Sequence, residues 1–122
     1  MNHRLYPLVL FVLLVPSTLW AFQTRTTDEL VTEGLSLKEK GKFDQSIQTF
    51  QQALSIDPTH EAALVGLGRT YGAKGDYKAA EGSFKKAIKV HKKSVNAHRY
   101  LALTFLRRKN LKKAEKYALK AS

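Results

Sequence analysis

From Thr27 onward, apolar residues return on a helical period. Leu64, Leu67, Gly68 and Tyr71 stand at i, i+3, i+4 and i+7, and Ala80, Phe84, Ala87 and Ile88 at i, i+4, i+7 and i+8. Each run places one apolar stripe on one face of an α-helix. Between the two runs Gly75-Asp76-Tyr77 supplies a glycine able to end one helix and an acidic residue near the start of the next, and Gly41-Lys42-Phe43-Asp44 does the same further upstream. The pattern predicts pairs of antiparallel helices, with Gly68 and Ala80 small where the two axes must approach closely.

The helical pairs repeat. Residues 27–60, 61–94 and 95–122 align on one another with a period of 34. The middle copy reads Leu64-Val65-Gly66-Leu67-Gly68-Arg69-Thr70-Tyr71, then Gly75-Asp76-Tyr77, then Ala80-Glu81-Gly82-Ser83-Phe84 and Ala87. The first matches it through Leu30, Gly34, Leu37, Gly41, Phe43, Phe50, Ala53 and Pro58, with Ser46 in place of the first small alanine. The third keeps Leu101, Ala102, Phe105, Leu111, Ala114 and Ala121, but carries His98 at the large apolar position, Lys109 for the turn glycine and Ala118 for the phenylalanine. These motifs resemble the tetratricopeptide repeat family, over 96 of the 122 residues. The fold that the resemblance and the periodicity together imply is an all-α solenoid of three helix-turn-helix repeats, each burying its apolar face against its neighbours.

The first residues follow a different pattern. Arg4 precedes an unbroken apolar run from Leu8 to Val15, followed by Pro16, Ser17 and Thr18. This is the layout of a secretory signal peptide, with residues 1–21 removed after the small Ala21, a mature start at Phe22 and a short linker over 22–26. Leu5 to Trp20 as a helix reaches about 24 Å, short of a hydrocarbon core of roughly 30 Å. An uncleaved anchor over residues 5–22 is the alternative. Both readings place the rest outside the cytoplasm, periplasmic or secreted, with a bacterial envelope favoured.

Composition narrows the chemistry. The chain has no cysteine, which excludes disulfides, thiolate metal sites and thiol nucleophiles. His60, His91 and His98 lack the spacing of a two-histidine metal site and have no carboxylate cluster beside them, so no metal and no cofactor is expected. Gly66, Gly68, Gly72 and Lys74 fit no nucleotide-binding loop. No serine, histidine and acid form a catalytic arrangement, and the expectation is a protein that is not an enzyme.

The net charge of +11 is unevenly spread: the first repeat holds 3 basic and 6 acidic residues, the second 8 and 3, the third 8 and 1. Lys85 and Lys89, and Lys112, Lys116 and Lys120, form i, i+4 stripes on second helices. They read as a solvated face, or as a basic surface for anionic lipid or cell-wall polymer. Nucleic acid is not an expected partner of an exported chain.

The resemblance implies that a peptide or helix binds in a concave groove lined by the first helix of each repeat. The groove positions are then Val31, Leu35, Val65, Arg69, Asn96, Arg99, Tyr100 and Leu103. At the positions where one subgroup clamps a C-terminal carboxylate, this chain has Val31, Leu35, Gly66, Asn96 and Tyr100, of which Asn96 alone is suited, so that clamp is rejected. Phe43, Phe50, Tyr71, Tyr77 and Phe84 read as core; Tyr100 and Tyr117 fall outside that register and read as surface packing, within reach of a ligand. The third copy stops at the end of its second helix with Leu103 and Leu106 turned away from Leu101 and Phe105, which predicts self-association or a partner helix at that end.

Overall fold

The computed structural model describes residues 25–122, so the signal peptide, the anchor alternative and most of the linker lie outside the described residues. Among the described residues six helices follow one another: α1 Thr27–Glu39, α2 Phe43–Ile56, α3 Glu61–Lys74, α4 Tyr77–Val90, α5 Val95–Arg107 and α6 Leu111–Ala121. They pair as three hairpins, α1 with α2, α3 with α4 and α5 with α6, whose first helices begin at residues 27, 61 and 95, a spacing of 34. Helices pack on their sequence neighbours, and α1, α3 and α5 also touch in succession. The product is an all-α solenoid.

Short polar side chains start most of the helices, because the first N–H groups of a helix have no partner inside it. Thr26 and Glu29 form a reciprocal capping box on α1. Asp76, Ser94 and Asn110 accept from the backbone N–H three residues on and so cap α4, α5 and α6. On α3 the cap is His60, whose Nδ1 accepts from Ala63 N–H at 3.2 Å. Its Nε2 then donates to Asp28 Oδ1 at 3.1 Å and ties the second hairpin to the first.

All three hairpins turn in the same way. The backbone of Gly41, Gly75 and Lys109 is left-handed, with φ of 75°, 93° and 60°. In each the following N–H reaches back five residues: Lys42 to Leu37 O at 2.9 Å, Asp76 to Tyr71 O at 2.9 Å and Asn110 to Phe105 O at 2.8 Å. Lys109 holds this geometry without the glycine that makes it easy.

The core is a file of aromatic rings set against small residues. Phe50 is fully buried, Phe84 and Phe105 nearly so. A Cβ added to Gly34 would come within 2.8 Å of the Phe50 ring, one on Gly66 within 2.5 Å, and one on Gly68 within 2.6 Å of Phe84. The first and second hairpins therefore close on Phe50 because both first helices offer it bare backbone. Ser46, at a position where the second copy has Ala80, is fully buried, and its hydroxyl bonds Gly34 O at 2.7 Å and Thr70 Oγ1 at 3.1 Å. His98 is buried and Nε2 bonds Lys92 O at 2.9 Å, while Nδ1 is the one buried side-chain atom without a partner among the described residues.

Tyr117 is not surface packing. Its ring stacks on Phe105 at 5.5 Å and on His98 at 6.1 Å, and fills the last hairpin where the other copies have a phenylalanine one position on. Beyond it, α6 buries Ala114 alone, and Leu106, Leu111 and Leu119 are exposed.

Candidate functional site

Because α1, α3 and α5 lie side by side, residues on their shared outer face form a concavity. Leu35, Val65, Arg69, Asn96, Arg99 and Tyr100 line one chamber of about 610 Å³ together with Gly66 and the start of α3. Arg69 and Tyr100 also border an adjoining, tighter cavity of about 240 Å³ that takes in Leu103. Seven of the eight sequence-derived groove positions thus meet along one surface. Val31 does not: it is buried with Leu30, Ile47 and Phe50 in the core, although it shares a face of α1 with Leu35 one turn on, which packs on the same cluster and is only partly buried. Val65 serves both sides, for it is 7% exposed and belongs to the core cluster around Phe84.

Tyr100 is the centre of the site. Its ring stacks on Phe84 with centroids 5.9 Å apart, and the guanidinium carbons of Arg69 and Arg99 each lie 4.9 Å from the ring centroid. Two cations share one aromatic ring. Arg99 also donates to Tyr100 Oη and to Asn96 Oδ1, both at 3.3 Å. Neither arginine is paired with a carboxylate among the described residues. The acid nearest in influence is Glu39, held below the usual carboxylate range first by the hydrogen bond from Lys38, then by the charge of Lys38 and, more weakly, by that of Arg69.

The second cavity adds residues that the sequence did not mark for the groove: Lys38 from α1, Gly68 and Gly72 from α3, and Thr104 and Arg107 from α5. Their signal was present, since Arg107 follows Leu103 by four residues and Arg99 by eight on the same helical face. Lys38, Arg69, Arg99 and Arg107 give the whole groove a row of cations drawn from all three hairpins.

The candidate basic stripes sit elsewhere. Lys85 and Lys89 are exposed on α4, and Lys112, Lys116 and Lys120 on α6. Lys85 donates to Glu81, which also pairs with Arg108. Lys116 and Lys120 lie over the Tyr117 ring, 5.9 and 5.8 Å from its centroid. Among the described residues, no group of histidines and acids has the arrangement of a metal site, and no helix is long and apolar enough to cross a membrane.

Two sequence profiles of the tetratricopeptide repeat match, one over residues 30–93 and the other over 65–122. The chain belongs to the tetratricopeptide repeat family. Solved tetratricopeptide structures superpose on it well. The type III secretion translocator chaperone SycD of Yersinia enterocolitica is 22% identical with a TM-score of 0.75, covering 78% of this chain and 71% of that one. SycD has also been solved with a peptide of the translocator YopD. The tetratricopeptide domain of Sgt2 from Aspergillus fumigatus is 26% identical, with a TM-score of 0.75 over 78% of this chain and 63% of its own. The first tetratricopeptide domain of Spaghetti (RPAP3), bound to the HSP90 peptide SRMEEVD, is 17% identical with a TM-score of 0.75, covering 79% and 76%. No curated protein matches the sequence significantly. As a tetratricopeptide repeat protein the chain carries a protein-interaction fold.

Proposed function

We propose that this protein is a non-catalytic adaptor that holds an acidic peptide or helix of a partner protein in the groove formed by α1, α3 and α5. The observation that carries this reading is the pair of arginines on Tyr100. Arg69 and Arg99 are fixed against one ring at 4.9 Å each, with no carboxylate of the described residues to neutralise them. Guanidinium groups fixed in this way meet a carboxylate in a planar, two-point hydrogen bond with little further loss of side-chain freedom. Solved neighbours accompanied by a peptide of YopD and a peptide of HSP90 support a peptide as the form of the ligand. The basic stripes on α4 and α6 support an envelope polymer or lipid less well, because Lys85 is already paired with Glu81. The apolar run at Leu8–Val15 supports an extracytoplasmic setting, exported into a bacterial envelope or secreted.

Panning a random peptide library on the immobilised protein tests the proposal. Bound sequences should be enriched in Asp and Glu, and the Arg69→Ala/Arg99→Ala variant should bind them more weakly by about 1–3 kcal/mol with an unchanged helical spectrum. Neutralising Lys112, Lys116 and Lys120 together should matter less. Loss of binding in the lysine variant alone would place the ligand on α6 and remove the groove from the function.

A further inference from the structure

The tighter of the two cavities differs in character from its neighbour. Its floor is apolar, made by Phe84, Tyr100 and Leu103, and Leu103 is 44% exposed there although it is one of the largest apolar residues of α5. Its rim carries Lys38, Arg69 and Arg107, and no carboxylate lines it. Gly72 lies on the same wall, inside α3, where glycine is unfavourable relative to alanine. Packing does not demand it. A Cβ at Gly72 would meet only the Ala80 Cβ at 4.0 Å, an ordinary contact, whereas one at Gly66 or Gly68 would strike a phenylalanine ring at 2.5 or 2.6 Å. What Gly72 does is keep this wall of the groove free of a side chain.

We infer that the cavity between Gly72, Phe84, Tyr100 and Leu103 is an anchor pocket for one bulky apolar side chain of the ligand, flanked on both sides by acidic residues that the surrounding cations hold. The inference rests on the acidic-peptide reading of the groove and specifies the ligand further. Arg69 and Arg99 take carboxylates on one side of the anchor residue, and Arg107 on the other, beside Lys38, which Glu39 already engages. A volume of about 240 Å³ suits a phenylalanine or leucine side chain, and removing such a chain from water supplies the affinity that exposed ion pairs alone do not.

Fluorescence anisotropy of the full chain with three labelled eight-residue peptides tests it: one phenylalanine set among glutamates, the same peptide with alanine for the phenylalanine, and the phenylalanine peptide with glutamines for the glutamates. The first should bind about tenfold or more tighter than either of the others. Gly72→Leu should fill the pocket and erase the preference for phenylalanine over alanine while the alanine peptide keeps its affinity. Gly72→Ala, which fits the helix and leaves most of the pocket open, should keep the preference and melt at a higher temperature, which separates a blocked pocket from a damaged fold. Equal binding of the phenylalanine and alanine peptides, with the glutamate dependence intact, overturns the pocket and leaves the acidic-peptide groove standing. A preference that survives Gly72→Leu also overturns it. If neither glutamate peptide binds, both readings fall.

Discussion

At the residue scale the molecule is governed by where side chains are missing. Phe50 sits between Gly34 and Gly66, and any side chain at Gly66 would enter the ring's volume at 2.5 Å. Gly66→Ala should therefore lower stability by about 1–3 kcal/mol, the usual cost of overpacking a tight core, seen as a depressed thermal midpoint. Lys109 is the opposite case. Its left-handed backbone, φ 60°, costs a residue with a Cβ roughly 1–2 kcal/mol. Glycine removes that strain but gains about 0.4–1 kcal/mol of unfolded-state freedom, so Lys109→Gly should stabilise by about 0.5–1 kcal/mol in denaturant titrations. The position was legible in the sequence as a turn glycine replaced by lysine; that the turn keeps its glycine-like geometry was not, because a lysine is equally compatible with a different turn. Tyr117 was misread for a related reason: it stands one position away from the repeat's phenylalanine, and only the stacked rings of His98 and Phe105 show that it still reaches the core.

At the scale of elements, the apolar period and the turns at Gly41 and Gly75 made the helices and their order legible, and the 34-residue period extended them to the third copy, whose turn has Lys109 instead of glycine. The ties between hairpins were harder to read. His60 caps α3 and bonds Asp28, and Ser94 caps α5 while bonding Glu61, yet histidine is an unusual cap and partners 32 or 33 residues away leave no local pattern. Glu81 on α4 is a similar tie, pairing with Lys85 on its own helix and with Arg108 at the end of α5. Partial burial pushes the Glu81 carboxyl up, but the Lys85 hydrogen bond and the charges of Lys85, Arg108 and Lys113 outweigh it, so the group titrates below the usual carboxylate range. A carboxylate lowered on folding stabilises the folded state above its unfolded pKa, and that contribution is lost as pH falls through the lowered folded value. Glu81→Gln should then reduce stability at neutral pH by roughly 1 kcal/mol or less, since both cations are about half exposed. The wild-type and variant unfolding curves should converge as the medium becomes acidic, and a gap that persists below the carboxylate range would mean that Glu81 acts by packing.

On the scale of the whole molecule, every helix packs on its chain neighbours or on the equivalent helix of the next hairpin. Stability is then close to a sum over hairpins and their junctions, and is lowest where a hairpin buries least. Hydrogen–deuterium exchange should proceed first through Leu111–Ala121, which buries Ala114 alone, and last through the Glu61–Lys74 helix, covered on both sides. The same arrangement explains why seven of the eight proposed groove positions lie along one surface: a 34-residue period carries any position on one first helix to the matching position on the next, so a column of aligned residues becomes a row in space. What the period could not supply was the meeting of Arg69, Arg99 and Phe84 on Tyr100, which depends on rotamers across a junction. That junction has a further consequence. Phe50 rests on Gly66, but Phe84, its counterpart in the second copy, rests on Tyr100, the counterpart of Gly66. The copies are thus not interchangeable bricks: excising residues 61–94 would preserve the period of the repeat but set Tyr100, in place of the bare backbone of Gly66, against Phe50, whose ring would then have to stack on it as Phe84 does. A lineage that loses this repeat must therefore re-seat the Phe50 ring at the new junction, whereas one that duplicates it only sets Phe84 against a second Gly66 and repeats junctions the molecule already has.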